Sequence, residues 1–149
     1  MKDKITLRTA LTSDMPAIYA LVKELAIYEK AEEQLITSIP YYIETFQNKL
    51  WNAFVAEHNT NIVATTIFYP VFSTWKGKIL YLEDFVVQQD LRRKGIGKIL
   101  FDHLLKYAQD NDYNGMRWQV LDWNEPAINF YKTYESKMEM DWINCQLIF

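Results

Sequence analysis

Residues 80–105, with the sequence LYLEDFVVQQDLRRKGIGKILFDHLL, combine a short apolar segment, a basic turn and an amphipathic segment. The aliphatic and aromatic side chains between Leu80 and Val87 predict a buried strand. From Ile96 onward, apolar residues recur at spacings of three and four, which predicts a helix with one apolar face. A strand that leads through a glycine-containing turn into a helix is typical of α/β proteins, so this stretch indicates the fold class.

The turn between this strand and this helix has the chemistry of an anion site. Gly95 and Gly97 allow the backbone to approach a ligand closely. The first turn of the helix has N–H groups without partners and the positive end of the helix dipole, so the main chain can hold a phosphate or pyrophosphate. Basic residues next to the glycines add long-range attraction, and these are Arg92, Arg93, Lys94 and Lys98. The alternative is a tight loop with a solvated basic face.

Two common phosphate sites do not fit this turn. A dinucleotide-binding loop needs a third glycine in the first strand and helix unit of the chain, and here the turn lies after several other elements. A nucleoside triphosphate loop needs Gly-Lys-Ser or Gly-Lys-Thr after four variable positions, which the turn also lacks.

Composition indicates one compact domain and excludes several classes of function. The chain has 149 residues, half of them hydrophobic, and a net charge of -3, which argues against a nucleic-acid binder because such proteins usually carry a basic surface. Cys145 is the single cysteine, and His58 and His103 are well separated, so we expect neither a disulfide nor a metal site. We find no membrane-spanning segment and no signal peptide, and therefore expect a cytoplasmic protein without a membrane partner.

Hydrophobic patterns along the rest of the chain predict an α/β fold. We expect strands over 5–8, 52–57, 62–68, 80–87 and 115–121 and a closing hairpin of strands over 138–142 and 145–149. We expect helices from about 12 to 28, from about 38 to 50, after Gly97 and from Asn124, with a loop over 70–77. This order indicates a mixed sheet, mostly antiparallel, whose strands 80–87 and 115–121 form a parallel pair joined by a right-handed crossover.

Several motifs resemble those of the GCN5-related N-acetyltransferase (GNAT) superfamily. Residues 92–97, RRKGIG, match the signature Arg/Gln-x-x-Gly-x-Gly/Ala of the loop that holds the pyrophosphate of acetyl-CoA. The flanking motifs are similar to those of diamine acetyltransferases, the spermidine/spermine N1-acetyltransferase-like enzymes: Tyr28-Glu29, Trp75-x-Gly77-Lys78, LYLEDF at 80–85 and WNEPAINFYK at 123–132. The resemblance covers about 5 to 132 and implies a GNAT-like fold, acetyl-CoA as cofactor, a small cationic amine as acceptor and a homodimer.

The resemblance also implies which residues contact the coenzyme. The pyrophosphate would lie on the loop and helix start formed by Arg92, Arg93, Lys94, Gly95, Ile96, Gly97 and Lys98. The backbone of Phe85, Val86 and Val87 would pair with the pantetheine arm like an added strand, and one of its N–H groups would stabilise the developing oxyanion. Asn124 would orient the arm, and Tyr131 would protonate the departing thiolate.

The amine site implied by the resemblance consists of aromatic and acidic residues. Glu83 would be the general base, directly or through water, because an alkyl ammonium with a pKa near 10.4 must lose a proton before it attacks; a hydrogen-bonded core carboxylate is the alternative. Tyr28 and Glu29 would line the site, and the ring of Trp75 would favour a cation or simply pack on the core. Asp84 is a further candidate, but on a regular strand it faces away from Glu83, so both can face the substrate only if the strand bulges.

These observations predict an enzyme that transfers acetyl from acetyl-CoA to a primary amine of a diamine, polyamine or lysine-like molecule. We expect direct attack by the amine, since Cys145 lies far from the motifs and no other plausible nucleophile is present. Two alternatives remain at this point. The acceptor is another amine, such as an aminoglycoside or a protein N-terminus, or the chain is an acyl-CoA sensor without catalytic activity.

Overall fold

The computed structural model describes residues 5–149. The chain separates into two compact units, Met1–Gln119 and Val120–Phe149. Within the described residues, the first unit holds the β-sheet and three α-helices, and the second holds one α-helix and the C-terminal segment.

The sheet in the first unit is mixed, and its strands are adjacent in chain order. The strands are β1 Ile5–Thr9, β2 Asn52–His58, β3 Asn61–Ser73, β4 Gly77–Val87 and β5 Gly115–Arg117. Successive strands from β1 to β4 pair antiparallel, whereas β4 and β5 pair parallel. The predicted α/β fold, with a mostly antiparallel sheet and one parallel pair, is confirmed.

The helices begin where the sequence provides start signals. They are α1 Met15–Tyr28, α2 Ile39–Gln47, α3 Ile96–Asp110 and, in the second unit, α4 Glu125–Lys132. Ser38 caps α2, because its Oγ accepts a hydrogen bond from the backbone N–H of Tyr41 at 3.3 Å. Helix α3 connects the parallel strands β4 and β5. Among residues 5–149, no helix is long and apolar enough to cross a membrane.

The two faces of the sheet pack against different helices. Val55 and Ile67 share one face, where they form a core cluster with Ile18 of α1, and residues of α2 pack against the same cluster. We call this side of the sheet the α1–α2 face. Phe54, next to Val55, points to the opposite face, where its ring centroid lies 4.7 Å from that of His103 in α3. The side chain of any residue in a strand can therefore be assigned to one face or the other from its register.

The predicted loop over 70–77 is wrong, since most of it is strand. Strand β3 continues to Ser73, and β4 begins at Gly77, which leaves a turn of only three residues. The predicted loop begins at Pro70, and a proline cannot donate to a ladder. However, the ladder between β2 and β3 ends at Phe68, so Pro70 lies where β3 has no second neighbour, and its missing N–H is tolerated there.

The predictions for the last three strands of the chain are also wrong. Strand β5 ends at Arg117 rather than at 121, and neither 138–142 nor 145–149 forms a strand. Alternating apolar residues give a segment the propensity of a strand, but a strand forms only where its backbone groups find a partner edge. The local pattern contains no information about such a partner.

Candidate active site

A β-bulge in β4 places the two candidate carboxylates. Ile67 of β3 pairs with Asp84, but the next residue, Phe68, pairs with Leu82, so Glu83 is an extra residue without a counterpart on β3. Paired residues on neighbouring strands share a face of the sheet. Asp84 therefore lies with Ile67 on the α1–α2 face, and the bulge interrupts the simple alternation of β4 at Glu83.

The side chain of Glu83 reaches the same face through a hydrogen bond. Tyr69 lies two residues after Ile67 and so shares its face, and its Oη donates to Oε1 of Glu83 at 2.7 Å. Tyr69 also pairs with Tyr81 across the ladder, with ring centroids 5.6 Å apart. Both Glu83 and Asp84 thus face the α1–α2 side, which a regular strand does not allow.

A third carboxylate, Glu29, joins this pair from the end of α1. Glu29 caps the C-terminus of α1, and its burial raises its pKa. Burial, followed by the negative charges of Glu83 and Glu29, raises the pKa of Asp84 to about 7. The three residues form an acidic cluster, which is the name used below for Glu29, Glu83 and Asp84. Within residues 5–149, no group of acidic, histidine or cysteine side chains is arranged to hold a metal ion.

Tyrosine side chains from three elements border the acidic cluster. Burial and the charge of Asp84 raise the pKa of Tyr42, in α2, to about 12. Burial and the hydrogen bond to Glu83 raise the pKa of Tyr69, and burial followed by the nearby carboxylates raises that of Tyr81. These phenols therefore stay neutral at physiological pH. Negative charge bordered by aromatic rings is an arrangement that favours an organic ammonium group.

Strand β4 extends past its ladder with β5. The parallel pairing includes Ile79, Leu80 and Tyr81 and ends where Tyr81 meets Arg117, whereas β4 continues to Val87. The part of β4 beyond the ladder includes the bulge and the predicted coenzyme-binding residues 85–87. An extended ligand can add to a sheet along such a stretch by main-chain hydrogen bonds.

The glycines at the start of α3 have different roles. Gly95 is the residue before the helix and adopts a left-handed conformation with φ of 84°. Gly97 lies in the first turn, so α3 begins at Ile96 rather than after Gly97. A Cβ atom on Gly97 would lie 3.4 Å from Cζ of Phe85 and 3.5 Å from Cγ2 of Val87. Gly95 therefore makes the turn, and Gly97 allows the start of α3 to pack closely on β4.

The order and geometry of these elements agree with a comparison to protein families. The model of the Acetyltransferase (GNAT) family matches residues 15–134. The chain belongs to the GNAT acetyltransferase family. Its membership makes it an N-acetyltransferase, and members of the family generally use acetyl-CoA as co-substrate.

Individual relatives support this assignment. The thialysine N-epsilon-acetyltransferase of Sus scrofa is 32% identical over 139 residues, which cover 87% of this chain and 82% of that protein. Human spermidine/spermine N(1)-acetyltransferase-like protein 1 is 33% identical over 138 residues, covering 87% of this chain and 20% of that protein. Among solved structures, an aminoglycoside acetyltransferase from an uncultured soil metagenomic sample has a TM-score of 0.82 at 16% identity, covering 99% of this chain and 98% of that one. This last likeness shows the GNAT fold alone.

Arg92, the first residue of the GNAT loop signature, holds together the elements around the loop. Its Nε donates to the carbonyl oxygen of Val87 at 3.0 Å, and its guanidinium lies 3.7 Å from a carboxylate oxygen of Glu24 in α1. The same guanidinium lies 5.2 Å from the ring centroid of Tyr28. Tyr28, predicted to line the amine site, thus lies beside the loop and against Arg92.

The other residues of the loop differ in what they can offer an anion. Arg93 and Lys94 are exposed and add positive charge. Lys98 is exposed as well, but its Nζ lies 2.9 Å from Oδ2 of Asp102 in the next turn of α3. Ile96 is 1% exposed, so only its backbone can face a phosphate.

Trp75 lies far from the acidic cluster along the sheet. It occupies the turn between β3 and β4 and is 89% exposed, whereas Asp84 lies at the other end of β4. At about 3.3 Å per residue, the stretch from Gly77 to Asp84 spans roughly 20 Å. The structure therefore does not bring Trp75 together with the carboxylates of its own chain.

Two predicted residues belong to the second unit. Asn124 precedes α4, and its Oδ1 accepts a hydrogen bond from the backbone N–H of Ala127 at 3.4 Å, so it acts as a helix cap. Tyr131 is buried in α4 at 7% exposure. Their roles toward the coenzyme stay predictions.

Sequence reasoning missed the tyrosines that border the acidic cluster. Tyr69 carries a weak signal as an aromatic residue of β3, and Tyr81 carries one as an aromatic residue of β4 two positions before Glu83. Tyr42 carries none, since its helix is distant in sequence from β4. Only the packing of α2 on the sheet brings it there.

The left-handed conformation of Gly95 leads to a first prediction. We expect Gly95→Val to destabilise the protein by about 1–2 kcal/mol, because a β-branched residue is strained at positive φ, and to raise the KM for acetyl-CoA. Asparagine tolerates this conformation better, so Gly95→Asn is the matched control and should lie between Val and the wild type. Urea denaturation and steady-state kinetics provide the measurements. A Val variant with wild-type stability and KM would contradict the proposed role.

Proposed function

We propose that the protein transfers the acetyl group of acetyl-CoA to a primary amine of a small cationic molecule, such as a diamine, a polyamine or a lysine-like amino acid. The observation that carries this proposal is the acidic cluster of Glu29, Glu83 and Asp84, bordered by neutral tyrosines on the α1–α2 face. Paired carboxylates attract ammonium groups. The names of the relatives, which refer to thialysine and to spermidine or spermine, support an acceptor of this kind.

Asp84 is the better candidate for the general base, although the sequence favoured Glu83. A general base works best when its pKa is close to the working pH, and burial and neighbouring charges raise the pKa of Asp84 to about 7. Transfer of a proton from an alkyl ammonium of pKa near 10.4 to such a group is uphill by roughly 4–5 kcal/mol. We therefore propose that Asp84 removes the proton, directly or through water, and that Glu83 binds the ammonium group.

The coenzyme would be held by the main chain of β4 and α3. The backbone of Phe85, Val86 and Val87 lies beyond the β4–β5 ladder, where an extended arm can pair with it. The left-handed turn at Gly95 and the first turn of α3 suit a pyrophosphate. The coenzyme supplies the acetyl thioester. Asn124 and Tyr131 remain proposed contacts that rest on the family motif.

The proposed reaction needs no covalent enzyme intermediate. Asp84 accepts a proton from the substrate ammonium, and the neutral amine nitrogen forms a bond to the acetyl carbon. The bond between that carbon and the coenzyme sulfur would break as Tyr131 donates a proton to the sulfur, and the second proton of the attached nitrogen would pass through water back to the Tyr131 phenolate. A backbone N–H at the end of β4 would stabilise the negative charge on the acetyl oxygen.

A panel of acceptors tests the proposal. Purified protein and acetyl-CoA are incubated with putrescine, spermidine, thialysine, lysine or an aminoglycoside, and mass spectrometry detects the acetylated amine. We expect acetylation of a diamine, a polyamine or thialysine. A product from the aminoglycoside alone would replace the proposed acceptor, and coenzyme binding without any acetylated amine would favour a sensor.

The raised pKa of Asp84 predicts the pH dependence of activity. Asp84 is protonated, and unable to act as base, below its pKa of about 7, so we expect kcat/KM for the amine to rise with pH through this value. The measurement is a profile at constant ionic strength, with acetyl-CoA saturating. A profile that is flat from about pH 5.5 to 8 would argue against Asp84 as base, because about 90% of such a group would change its protonation state over this range.

We also propose that the protein is a homodimer in which the C-terminal segment contributes to the interface. Six large apolar side chains of residues 140–149 are at least 71% exposed: Met140, Trp142, Ile143, Leu147, Ile148 and Phe149. A large exposed apolar patch is typical of an interface. Sedimentation equilibrium of the full chain tests this proposal, and a monomer at micromolar concentration would contradict it. A cytoplasmic location and the absence of nucleic-acid and membrane partners stay predictions.

A further inference from the structure

Tyr69 connects β3 to the bulge in β4 through a single short hydrogen bond. Its Oη lies 2.7 Å from Oε1 of Glu83, a distance typical of a hydroxyl that donates to a carboxylate. Glu83 is exposed and, as the extra residue of the bulge, has no counterpart on β3. Such a side chain would normally exchange between rotamers in water, so the bond to Tyr69 supplies the constraint that the strand pairing does not.

The ring of Tyr69 is itself held in place. It pairs with Tyr81 across the ladder, with ring centroids 5.6 Å apart and an interplanar angle of 33°. Burial and the bond to Glu83 raise the pKa of Tyr69, so its hydroxyl stays protonated and donates at physiological pH. A hydrogen bond donated to a carboxylate stabilises its ionised form.

We infer that Tyr69 is a positioning residue for the acceptor amine, because its hydroxyl occupies one oxygen of Glu83 and leaves the other, Oε2, directed at the substrate ammonium. This inference rests on the proposed function, in which the α1–α2 face binds a cationic amine. Tyr69 acts through Glu83 and does not itself exchange a proton with the substrate. The bulge brings Glu83 to the correct face, and Tyr69 selects its orientation there.

The position of Glu83 also affects the pKa of Asp84, the proposed base. The titratable groups that interact with Asp84 come from every neighbouring element: Glu83 and Tyr81 from β4, Tyr69 from β3, Glu29 from α1 and Tyr42 from α2. The tyrosines are neutral, so only Glu83 and Glu29 act on Asp84 as charges. The charge of Glu83 is one cause of the raised pKa of Asp84. If Glu83 moves out into water, this repulsion weakens, and the pKa of Asp84 falls.

The variant Tyr69→Phe tests the inference, because it removes the hydroxyl and keeps the ring that packs on Tyr81. We expect the KM for the amine to rise about tenfold, in line with the loss of a hydrogen bond to a charged group, while kcat stays within about twofold. We also expect the acid limb of the pH profile to move to lower pH by about half a unit. Tyr41→Phe is the matched control, since Tyr41 lies in α2, is 51% exposed and should change neither quantity.

A double-mutant cycle separates action through Glu83 from a general effect on the fold. If Tyr69 acts through Glu83, then Tyr69→Phe combined with Glu83→Gln should show the same KM as Glu83→Gln alone. Losses that add in the double variant would overturn the inference. Tyr69→Phe with wild-type KM and pH profile would overturn it too. The same holds if Tyr69→Phe lowers kcat and the melting temperature without a shift in the acid limb of the pH profile.

The outcome for the wild-type protein distinguishes this inference from the proposed function. If the wild type acetylates no amine of the panel, the proposed function fails, and the positioning role fails with it. If the wild type acetylates a cationic amine and Tyr69→Phe does so with unchanged KM, only the positioning role is wrong.

Discussion

Replacement of Asp84 by asparagine is expected to lower kcat by about 10²- to 10⁴-fold, the range that a general base contributes. The change preserves the size of the side chain and removes its ability to accept a proton. The KM for acetyl-CoA should stay near the wild-type value, because the proposed coenzyme contacts come from the main chain of β4 and from the loop before α3. Steady-state kinetics with a saturating amine measure both quantities.

Two variants serve as references for Asp84→Asn. Glu83→Gln should act mainly on the KM of the amine, since the proposed role of Glu83 is to bind the ammonium group. Asp90→Asn removes an exposed carboxylate from the turn after β4 and should be close to the wild type. The opposite pattern, a large loss of kcat in Glu83→Gln and a small one in Asp84→Asn, would restore Glu83 as the base.

The pH profile of the residual activity provides a second test of Asp84. The wild-type profile should rise through a pKa of about 7, which we attribute to Asp84. In Asp84→Asn this limb should disappear, because the group that titrates is gone. A limb that persists near pH 7 in the variant would mean that another group controls it.

Replacement of Tyr131 by phenylalanine is expected to lower kcat by about 10- to 100-fold, toward the lower end of what a general acid contributes. A thiolate leaves readily, so its protonation helps less than that of an alkoxide. With ordinary pKa values, proton transfer from a phenol to a thiolate is uphill by roughly 2 kcal/mol, which positioning can offset. Affinity for the coenzyme, measured by calorimetry, should change little.

Tyr134→Phe is the matched control for Tyr131→Phe. Tyr134 follows α4 by two residues, and its ring centroid lies 5.4 Å from that of Phe130. Loss of its hydroxyl should leave kcat near the wild-type value. If Tyr131→Phe keeps wild-type turnover, then Tyr131 is not the general acid, and water becomes the alternative proton donor.

The pattern of the sequence was sufficient to predict the fold and the succession of strand, turn and helix over 80–105. The spacing of apolar residues over 80–105 reflects which side chains are buried, and it can be read from neighbouring residues alone. Gly95 likewise indicates a left-handed backbone conformation that other residues avoid, and the structure shows Gly95 with φ of 84°. Strand, turn and helix follow each other along the chain, so their order could be predicted without knowledge of distant contacts.

The C-terminal segment and the hairpin between β3 and β4 show where local patterns fail. Two apolar runs, 138–142 and 145–149, predicted strands, but a strand needs a partner edge that the segment does not contain. Pro70 predicted a loop, yet it lies in β3 beyond Phe68, where the ladder with β2 has ended. In both cases the outcome depends on what lies next to the segment in space.

Sequence patterns were enough to predict α1 to α4, β1 to β5, their order along the chain and the family, because these depend on contiguous residues and on the periodicity of burial. The choice of Asp84 over Glu83 for the proposed role of base rests on the tertiary structure. A one-residue shift in the pairing of β3 with β4 brings Glu83 and Asp84 to one face, and α1 and α2 add Glu29 and Tyr42 from distant parts of the chain. The pKa of Asp84 depends on its burial and on the charges of Glu83 and Glu29, and this arrangement forms only when the helices pack on the sheet.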